Sequence, residues 1–230
     1  MSWDLYWSRA HRPERRGLYQ RIAKLCRDQI ISRSAARILA RHFQDDPQRR
    51  YLHAGCGSGG SDQRIRLPRA QFHFLDISPV AIRLHWEQAM KLRRQYLCGD
   101  IFRLPYANGS MDGIFNFGVM EHFTQGQIRR ILAEFHRVLR PGGRVVLFWP
   151  PEFGLSVLVL SNFLRVVNAF RKEPLALYPE EISRIRSFRW VREILQRSRF
   201  RVLGTEFGPG DLFTYVAVAA SKIGDGTDGR

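Results

Sequence analysis

Residues 51–60 read YLHAGCGSGG, and this stretch decides the fold. Two apolar residues lead into Gly55, Gly57, Gly59 and Gly60. The pattern is typical of a strand that ends in a turn which a ligand approaches closely, because glycine has no side chain and tolerates positive φ. We expect the turn to open into a short helix before Pro68, whose first N–H groups would favour a negative ligand group. The glycine spacing also fits the dinucleotide-binding fingerprint, so the stretch alone leaves two cofactor classes open.

The rest of the chain alternates between strand and helix patterns. Apolar runs predict further strands at 71–76, 95–98, 112–117, 144–148, 200–207 and 213–220. Helices are predicted to start from N-caps at Ser34, Ser78, Thr124 and Ser187. Such an alternation predicts a parallel sheet whose ligands bind beyond the carboxyl ends of the strands. The last two strands flank a short turn at 208–210, which predicts a hairpin at the end of the sheet.

The same reading divides the chain into three parts. Residues 1–47 are predicted to form a helical N-terminal segment, including a helix at 18–31, and the aromatic residues at its start would suit either a lid over a site or a frayed arm. Residues 48–222 would form the main domain, with an insertion at about 150–187 that covers the substrate. Residues 223–230 are rich in glycine and charge, which predicts a disordered tail.

Carboxylates follow two of the predicted strands. Asp76 ends the second strand, 21 residues after Gly55, which is the spacing of a carboxylate that binds a ribose diol. Asp100 follows the third strand and could accept a hydrogen bond from an adenine amine. The sequence therefore predicts a cofactor that contains a nucleoside.

Five ordered motifs resemble the class I S-adenosylmethionine-dependent methyltransferases, in particular the methyltransferase type 11 group. The matching stretches are 53–59, 74–79, 99–105, 111–123 and 139–143. The resemblance implies an α/β fold: a doubly wound, mostly parallel seven-stranded sheet with a reversed last strand, preceded by N-terminal helices and carrying an insertion after strand 5. It also implies S-adenosylmethionine as the cofactor, bound by His53, Gly55, Cys56, Gly57, Asp76, Ile77, Asp100, Ile101 and Phe117.

The resemblance assigns roles to these residues and exposes one departure. Gly55 and Gly57 would lie under the methionine part of the cofactor, Asp76 would bind the ribose, and Asp100 with Ile101 would flank the adenine. The family usually has Asp or Glu at the position of His53, where it orients the cofactor's amino group. A neutral histidine can still accept that hydrogen bond.

Glu121 and His122 follow the fourth strand and are the candidate catalytic residues. A base near the attacking atom helps methyl transfer to a hydroxyl or phenol, whereas an amine, thiol or carbanion mainly needs in-line positioning. The same pair also recurs across the family, which leaves a structural role open.

The amino-acid composition indicates which cell compartment and which kinds of partner to expect. The 230 residues include 37 Lys and Arg against 21 Asp and Glu, giving a formal net charge of +16. This balance favours either an anionic partner (nucleic acid, a membrane surface or an acidic substrate) or no more than a basic surface on a soluble enzyme. Three cysteines without CxxC spacing predict neither disulfides nor a metal site. No signal peptide or membrane span is recognisable, so we expect a cytoplasmic protein, with peripheral membrane contact as the alternative.

Methyl transfer to a small molecule, apolar or anionic, is the favoured function, and three others remain. An RNA or other nucleic-acid methyltransferase would use the positive charge. An NAD-dependent oxidoreductase would use the glycines but leaves Asp100 unexplained. A non-catalytic protein that binds the cofactor would be compatible with His53.

Overall fold

The computed structural model describes residues 3–10, 27–88, 94–154 and 181–224. The predicted helix at 18–31, the predicted cover at 150–187 and the predicted tail at 223–230 lie wholly or largely outside these residues.

Seven strands and five α-helices make up the described chain. The helices are α1 (Trp3–Ala10), α2 (Ser32–His42), α3 (Pro79–Gln88), α4 (Gln125–Val138) and α5 (Phe188–Arg197). The strands are β1 (Arg50–Ala54), β2 (Gln71–Asp76), β3 (Arg94–Cys98), β4 (Met111–Phe117), β5 (Leu139–Trp149), β6 (Phe200–Glu206) and β7 (Val216–Lys222). Short turns of other helix types lie at Arg27–Ile31, Met120–His122 and Pro209–Asp211. Every helix among the described residues is too short or too polar to cross a membrane.

All seven strands belong to one sheet, in the order β3-β2-β1-β4-β5-β7-β6. The ladders between β1, β2, β3, β4 and β5 are parallel. Strand β7 runs antiparallel to both β5 and β6. This confirms the predicted α/β fold with its reversed last strand. It also places the carboxyl ends of β1 to β4 side by side at one edge of the sheet.

Both faces of the sheet are covered by apolar helix faces. Helix α4 buries Ile128, Ile131, Leu132 and Phe135 completely on one face, where α5 also packs. Helix α2 buries Ile38 and Leu39 on the opposite face. The 3.6-residue periodicity of these side chains gives each helix one apolar stripe, so the sheet is sandwiched and its central strands are buried.

Side-chain caps fix where the predicted helices begin. Ser78 Oγ accepts a hydrogen bond from the Ala81 N–H at the start of α3. Thr124 and Gln127 form a reciprocal capping box at the start of α4. Ser187 Oγ accepts from the Trp190 N–H at the start of α5. These three starts confirm the sequence prediction, and they orient the loops at the carboxyl edge of the sheet.

Three local predictions were wrong. Helix α2 begins at Ser32, so Ser34 lies inside it and is buried. The segment after Gly60 forms turns and no helix, because the Asp62 side chain, which could cap a local helix, is held by distant partners instead. Strand β5 begins at Leu139, and a register shift opposite Met111 accommodates the predicted break at 140–143 within the strand.

Candidate active site

A cavity of about 360 Å³ opens at the carboxyl ends of β1 to β4. Its size falls within the range usual for small-molecule sites. All eleven residues predicted for the site line it: His53, Gly55, Cys56, Gly57, Asp76, Ile77, Asp100, Ile101, Phe117, Glu121 and His122. The topology explains this convergence, since parallel neighbouring strands deliver their following loops to one edge.

The glycine turn is a cradle in which side chains do not fit. Gly55 has φ +75°, and a Cβ there would lie 2.8 Å from Val119 Cγ2. Gly57 has φ +52°, and a Cβ there would lie 2.7 Å from the ring of Trp7. Both the backbone conformation and the surrounding space therefore require glycine. The turn leaves its backbone open to the cavity.

Asp76 joins the glycine turn to the start of α3. Its Oδ2 accepts the Gly57 N–H and its Oδ1 accepts the Ser78 N–H, each at 2.9 Å. Burial raises the pKa of this carboxyl, while the two backbone hydrogen bonds act in the opposite direction. Each carboxylate oxygen has a second lone pair, so the group can accept from a ligand without breaking these bonds.

The third strand end supplies a more open wall. Asp100 is exposed and its Oδ1 accepts the Phe102 N–H at 2.9 Å. Ile101 is 8% exposed and packs into the core, whereas Ile77 is 55% exposed, and both line the cavity. These two isoleucines add apolar side chains to the lining next to the strand-end acids in the sequence.

Cys56 is a buried part of the turn. It is 5% exposed, and burial together with the charges of Asp76 and Asp62 raises the pKa of its thiol well above the usual value. A thiol held in its neutral form is a poor nucleophile, so its position fits a small packing residue.

Glu121 and His122 lie in the short helical turn after β4. Glu121 is 3% exposed, and burial raises the pKa of its carboxyl well above the usual value. Burial thus favours the protonated form of Glu121, in which the carboxyl can donate a hydrogen bond. His122 contacts the ring of Trp3 edge-to-face, with ring centroids 5.1 Å apart. The same burial disfavours Glu121 as a proton acceptor.

Aromatic residues of the N-terminal segment, for which the sequence allowed a lid, lie over the cavity. Trp3, Tyr6 and Trp7 of α1 line the cavity, and Trp7 packs over Gly57. The sequence left open whether these residues form a lid or a frayed arm, and it did not indicate which of them would face the cavity. Tyr215, just before β7, also lines the cavity and had no signal in the sequence.

Asp62 and His85 were also missed. The Nδ1 atom of His53 lies 2.8 Å from Asp62 Oδ2, and His85 Nε2 lies 2.8 Å from the same oxygen. Neither residue stands in a recognisable motif, and 23 positions separate them. Only the packing of α3 against the sheet brings them together.

Comparison with known proteins identifies the domain. Residues 52–147 match the family model of a methyltransferase domain. The chain contains a class I methyltransferase domain. The matched residues of this methyltransferase domain run from β1 into β5 and include every candidate site residue.

Two curated methyltransferases are similar in sequence to this chain. A malonyl-acyl-carrier-protein O-methyltransferase from Laribacter hongkongensis is 34% identical over 137 residues, which is 54% of this chain and 44% of that protein. A demethylmenaquinone methyltransferase from Deinococcus radiodurans is 34% identical over 159 residues, which is 65% of this chain and 62% of that protein. The chain thus spans less than two thirds of the length of either relative.

The fold likeness extends beyond the matched segment. The crystal structure of magnesium protoporphyrin IX methyltransferase from Synechocystis PCC 6803 with bound SAH superposes with a TM-score of 0.67 and 15% sequence identity. The match covers 94% of this chain and 93% of that one. At this identity the likeness establishes the fold of the methyltransferase domain and nothing finer.

Proposed function

We propose that this protein binds S-adenosylmethionine and transfers its methyl group to a small-molecule acceptor. The observation that carries the proposal is the convergence of the glycine turn, both strand-end acids and the Glu121-His122 pair on one cavity. The methyltransferase domain and the relatives that share it support the same reaction class.

The residues present fit this cofactor. Gly55 and Gly57 line the cavity with backbone alone, since Val119 and Trp7 occupy the space that a Cβ would take. Asp76 offers carboxylate lone pairs to a ribose diol, and the Nε2 atom of His53 is buried with no hydrogen-bond partner among the described residues. An adenosine with an attached amino acid would need a site with this combination of acceptors.

When bound, the cofactor supplies a methyl group on a positively charged sulfur. The chain's own residues then have three tasks. Asp76 binds the ribose, and the glycine turn with His53 orients the amino-acid part. The aromatic residues of α1 and Phe117 exclude water from the cavity. Holding the donor and the acceptor in line supplies much of the rate enhancement without a covalent step.

The walls favour an acceptor with an apolar body. Phe102 and Phe123 line the cavity and meet edge-to-face at 5.3 Å, and Trp3 lines it in contact with the ring of His122. Protonated Glu121 can donate a hydrogen bond to an acceptor oxygen, and His122 can take the proton that a hydroxyl or phenol loses. A hydroxyl-bearing apolar metabolite fits this set of groups best.

Calorimetry with S-adenosylhomocysteine, S-adenosylmethionine and NAD tests the cofactor assignment. We expect micromolar or tighter binding of both sulfur compounds and no binding of NAD. Asp76→Asn should weaken binding, while Asp112→Asn serves as the matched control. Asp112 is also a partly buried carboxylate, but it lies at the amino end of β4 and is paired with Arg49 and Arg140. Binding of NAD alone would refute the proposal.

Transfer of a radioactive methyl group from S-adenosylmethionine into a metabolite extract tests turnover. We expect label in organic-soluble products from wild type, and much less from His122→Asn. A protein that binds the cofactor but labels no fraction would be the non-catalytic alternative.

Nucleic acid is the second candidate acceptor, favoured by the net charge of +16. The arginine-rich segment 184–201 is partly neutralised, since three of its arginines lie beside carboxylates: Arg184 with Glu181, Arg186 with Glu152 and Arg189 with Glu193. RNA binding that falls steeply with salt, together with labelled RNA in the transfer assay, would favour this candidate. Absence of RNA binding at low salt would exclude it.

A further inference from the structure

Three buried ionisable side chains form a cluster behind the cavity. His53 comes from β1, Asp62 from the turn after it, and His85 from α3. Their side chains are only 2%, 2% and 1% exposed. Asp62 Oδ2 lies 2.8 Å from His53 Nδ1 and 2.8 Å from His85 Nε2. One carboxylate oxygen thus holds both rings.

The hydrogen bonds fix where the protons lie. Burial alone would raise the pKa of Asp62, but the charge and hydrogen bond of His53, followed by those of His85, outweigh burial and lower that pKa far below its usual range. Asp62 is therefore a carboxylate and can only accept hydrogen bonds. It follows that His53 donates through Nδ1–H, and in its neutral form His53 carries a bare lone pair on Nε2.

Aromatic packing prevents the ring of His53 from turning away. The ring stacks on Phe115, with centroids 4.5 Å apart and planes 22° apart. Phe74 and Phe117 contact its edges. The one polar atom left on this side chain is Nε2, which is buried and unpartnered within the described structure. An unpaired acceptor in a low-dielectric site is costly unless a ligand satisfies it.

His53 is the only member of the cluster that reaches the cavity. It lines the cavity, whereas Asp62 and His85 lie behind it. Asp62 therefore can act on a ligand only through the imidazole of His53.

We propose that Asp62 is a positioning residue that holds His53 with Nε2 free to accept a hydrogen bond from the ammonium group of the cofactor's amino-acid part. The inference rests on the proposed function and adds two residues to it. The family that this chain resembles usually has a carboxylate at position 53 itself. Here the carboxylate belongs to Asp62, which is separated from the cavity by His53 and acts on the cofactor through the imidazole. His85 serves as the second clamp on Asp62.

A metal ion is the competing occupant of this cluster, because two imidazoles and a carboxylate are a ligand set that zinc accepts. The ligand atoms all lie within 4.8 Å of one another. Two observations favour protons over a metal: both nitrogens lie at hydrogen-bond distance from one shared oxygen, and two of the three residues do not reach the cavity.

The test compares two ligands that differ only in the part His53 would contact. S-adenosylhomocysteine carries the amino-acid part, and 5′-methylthioadenosine has the same nucleoside and sulfur without it. In Asp62→Asn, the side-chain amide can donate to Nδ1 and drive the His53 proton to Nε2, where it would face the ammonium group. We expect this variant to lose about tenfold or more in affinity for S-adenosylhomocysteine and less than about twofold for methylthioadenosine.

Two further variants separate positioning from folding. His73→Gln is the matched control, because His73 is also a buried strand histidine, at 6% exposure, but does not line the cavity. We expect it to leave the affinity ratio of the two ligands unchanged. The double variant His53→Asp with Asp62→Asn returns a carboxylate to position 53 and should restore the wild-type ratio. His53→Asp alone should not, since it sets two carboxylates against each other.

Nitrogen-15 NMR of the histidine rings supplies a readout independent of ligand. Wild type should give the Nδ1–H tautomer for His53, and Asp62→Asn should lose it. Equal weakening of both ligands in Asp62→Asn, or an unchanged ratio, would overturn the inference. Stoichiometric zinc binding that Asp62→Asn abolishes would also overturn it in favour of a metal site. A wild-type protein that binds neither ligand would instead overturn the proposed function, so the two failures are distinguishable.

Discussion

Gly55→Ala tests whether the cradle is shaped by backbone conformation, by crowding, or by both. At φ +75° an alanine incurs a left-handed backbone cost of roughly 1–2 kcal/mol. Its Cβ would also lie 2.8 Å from Val119 Cγ2 and 3.3 Å from Val119 Cγ1, and overpacking of this kind costs about 1–3 kcal/mol. We therefore expect the free energy of unfolding to fall by about 2–5 kcal/mol.

Two control variants separate the backbone cost from the crowding cost. Gly142→Ala carries the backbone cost alone, because Gly142 has φ +71° and an added Cβ would have no described atom within 4 Å, so it should lose roughly 1–2 kcal/mol. In a Val119→Ala background both crowding methyl groups are gone, and Gly55→Ala should then cost only the same roughly 1–2 kcal/mol.

Urea denaturation of the four members of the Gly55/Val119 cycle measures the difference. A coupling of about 1–3 kcal/mol between the two positions supports the crowding argument. If Gly55→Ala costs the same in both backgrounds, or no more than Gly142→Ala, then crowding at the cradle contributes nothing and the reasoning is refuted.

Three further predictions concern the cavity. Asp76→Asn should weaken S-adenosylhomocysteine and methylthioadenosine alike, by about tenfold or more in calorimetry, because both contain the ribose; loss confined to the first ligand would contradict the assigned role. Glu121→Gln should raise stability at pH 7 but not at pH 4, measured as urea midpoints. The raised pKa of Glu121 means that the folded chain keeps a proton which the unfolded chain releases above about pH 4, so wild-type stability falls as pH rises from there; a less stable variant at pH 7 would contradict this. Trp7→Ala should speed the dissociation of S-adenosylhomocysteine in stopped-flow fluorescence, because the ring covers Gly57, and an unchanged rate would mean that the ring is no barrier.

The sequence predicted the sheet and its caps well because local chemistry decides them. Thr124 and Gln127 satisfy each other across one turn, and the signal lies within four residues. The positions of the strand-end acids could also be predicted, because the carboxyl ends of neighbouring parallel strands lie at the same edge of the sheet. The strand order and the residues at the strand ends together predicted most of the residues that line the cavity.

The features that the sequence did not predict depend on contacts between segments far apart in the chain. Asp62 carries no signal within its own segment, and its two partners come from β1 and α3. Its side chain bonds there instead of capping a local helix, which is one reason why the predicted helix after Gly60 does not form. The N-terminal aromatic residues suggested a lid, but which of them line the cavity depends on how α1 packs against α3, a contact between segments far apart in the sequence.

The order of the sheet has a consequence for how the chain is made. Strand β7 is inserted between β5 and β6, so the last strand to be synthesised fills a gap between two earlier ones. Until residues 216–222 leave the ribosome, one side of β5 is an open hydrogen-bonding edge, flanked by the fully buried side chains Val145 to Leu147 and Trp149. Such an edge is a template for pairing with another chain. A product that stops before β7 should therefore aggregate, even though the residues that line the cavity would already have been synthesised.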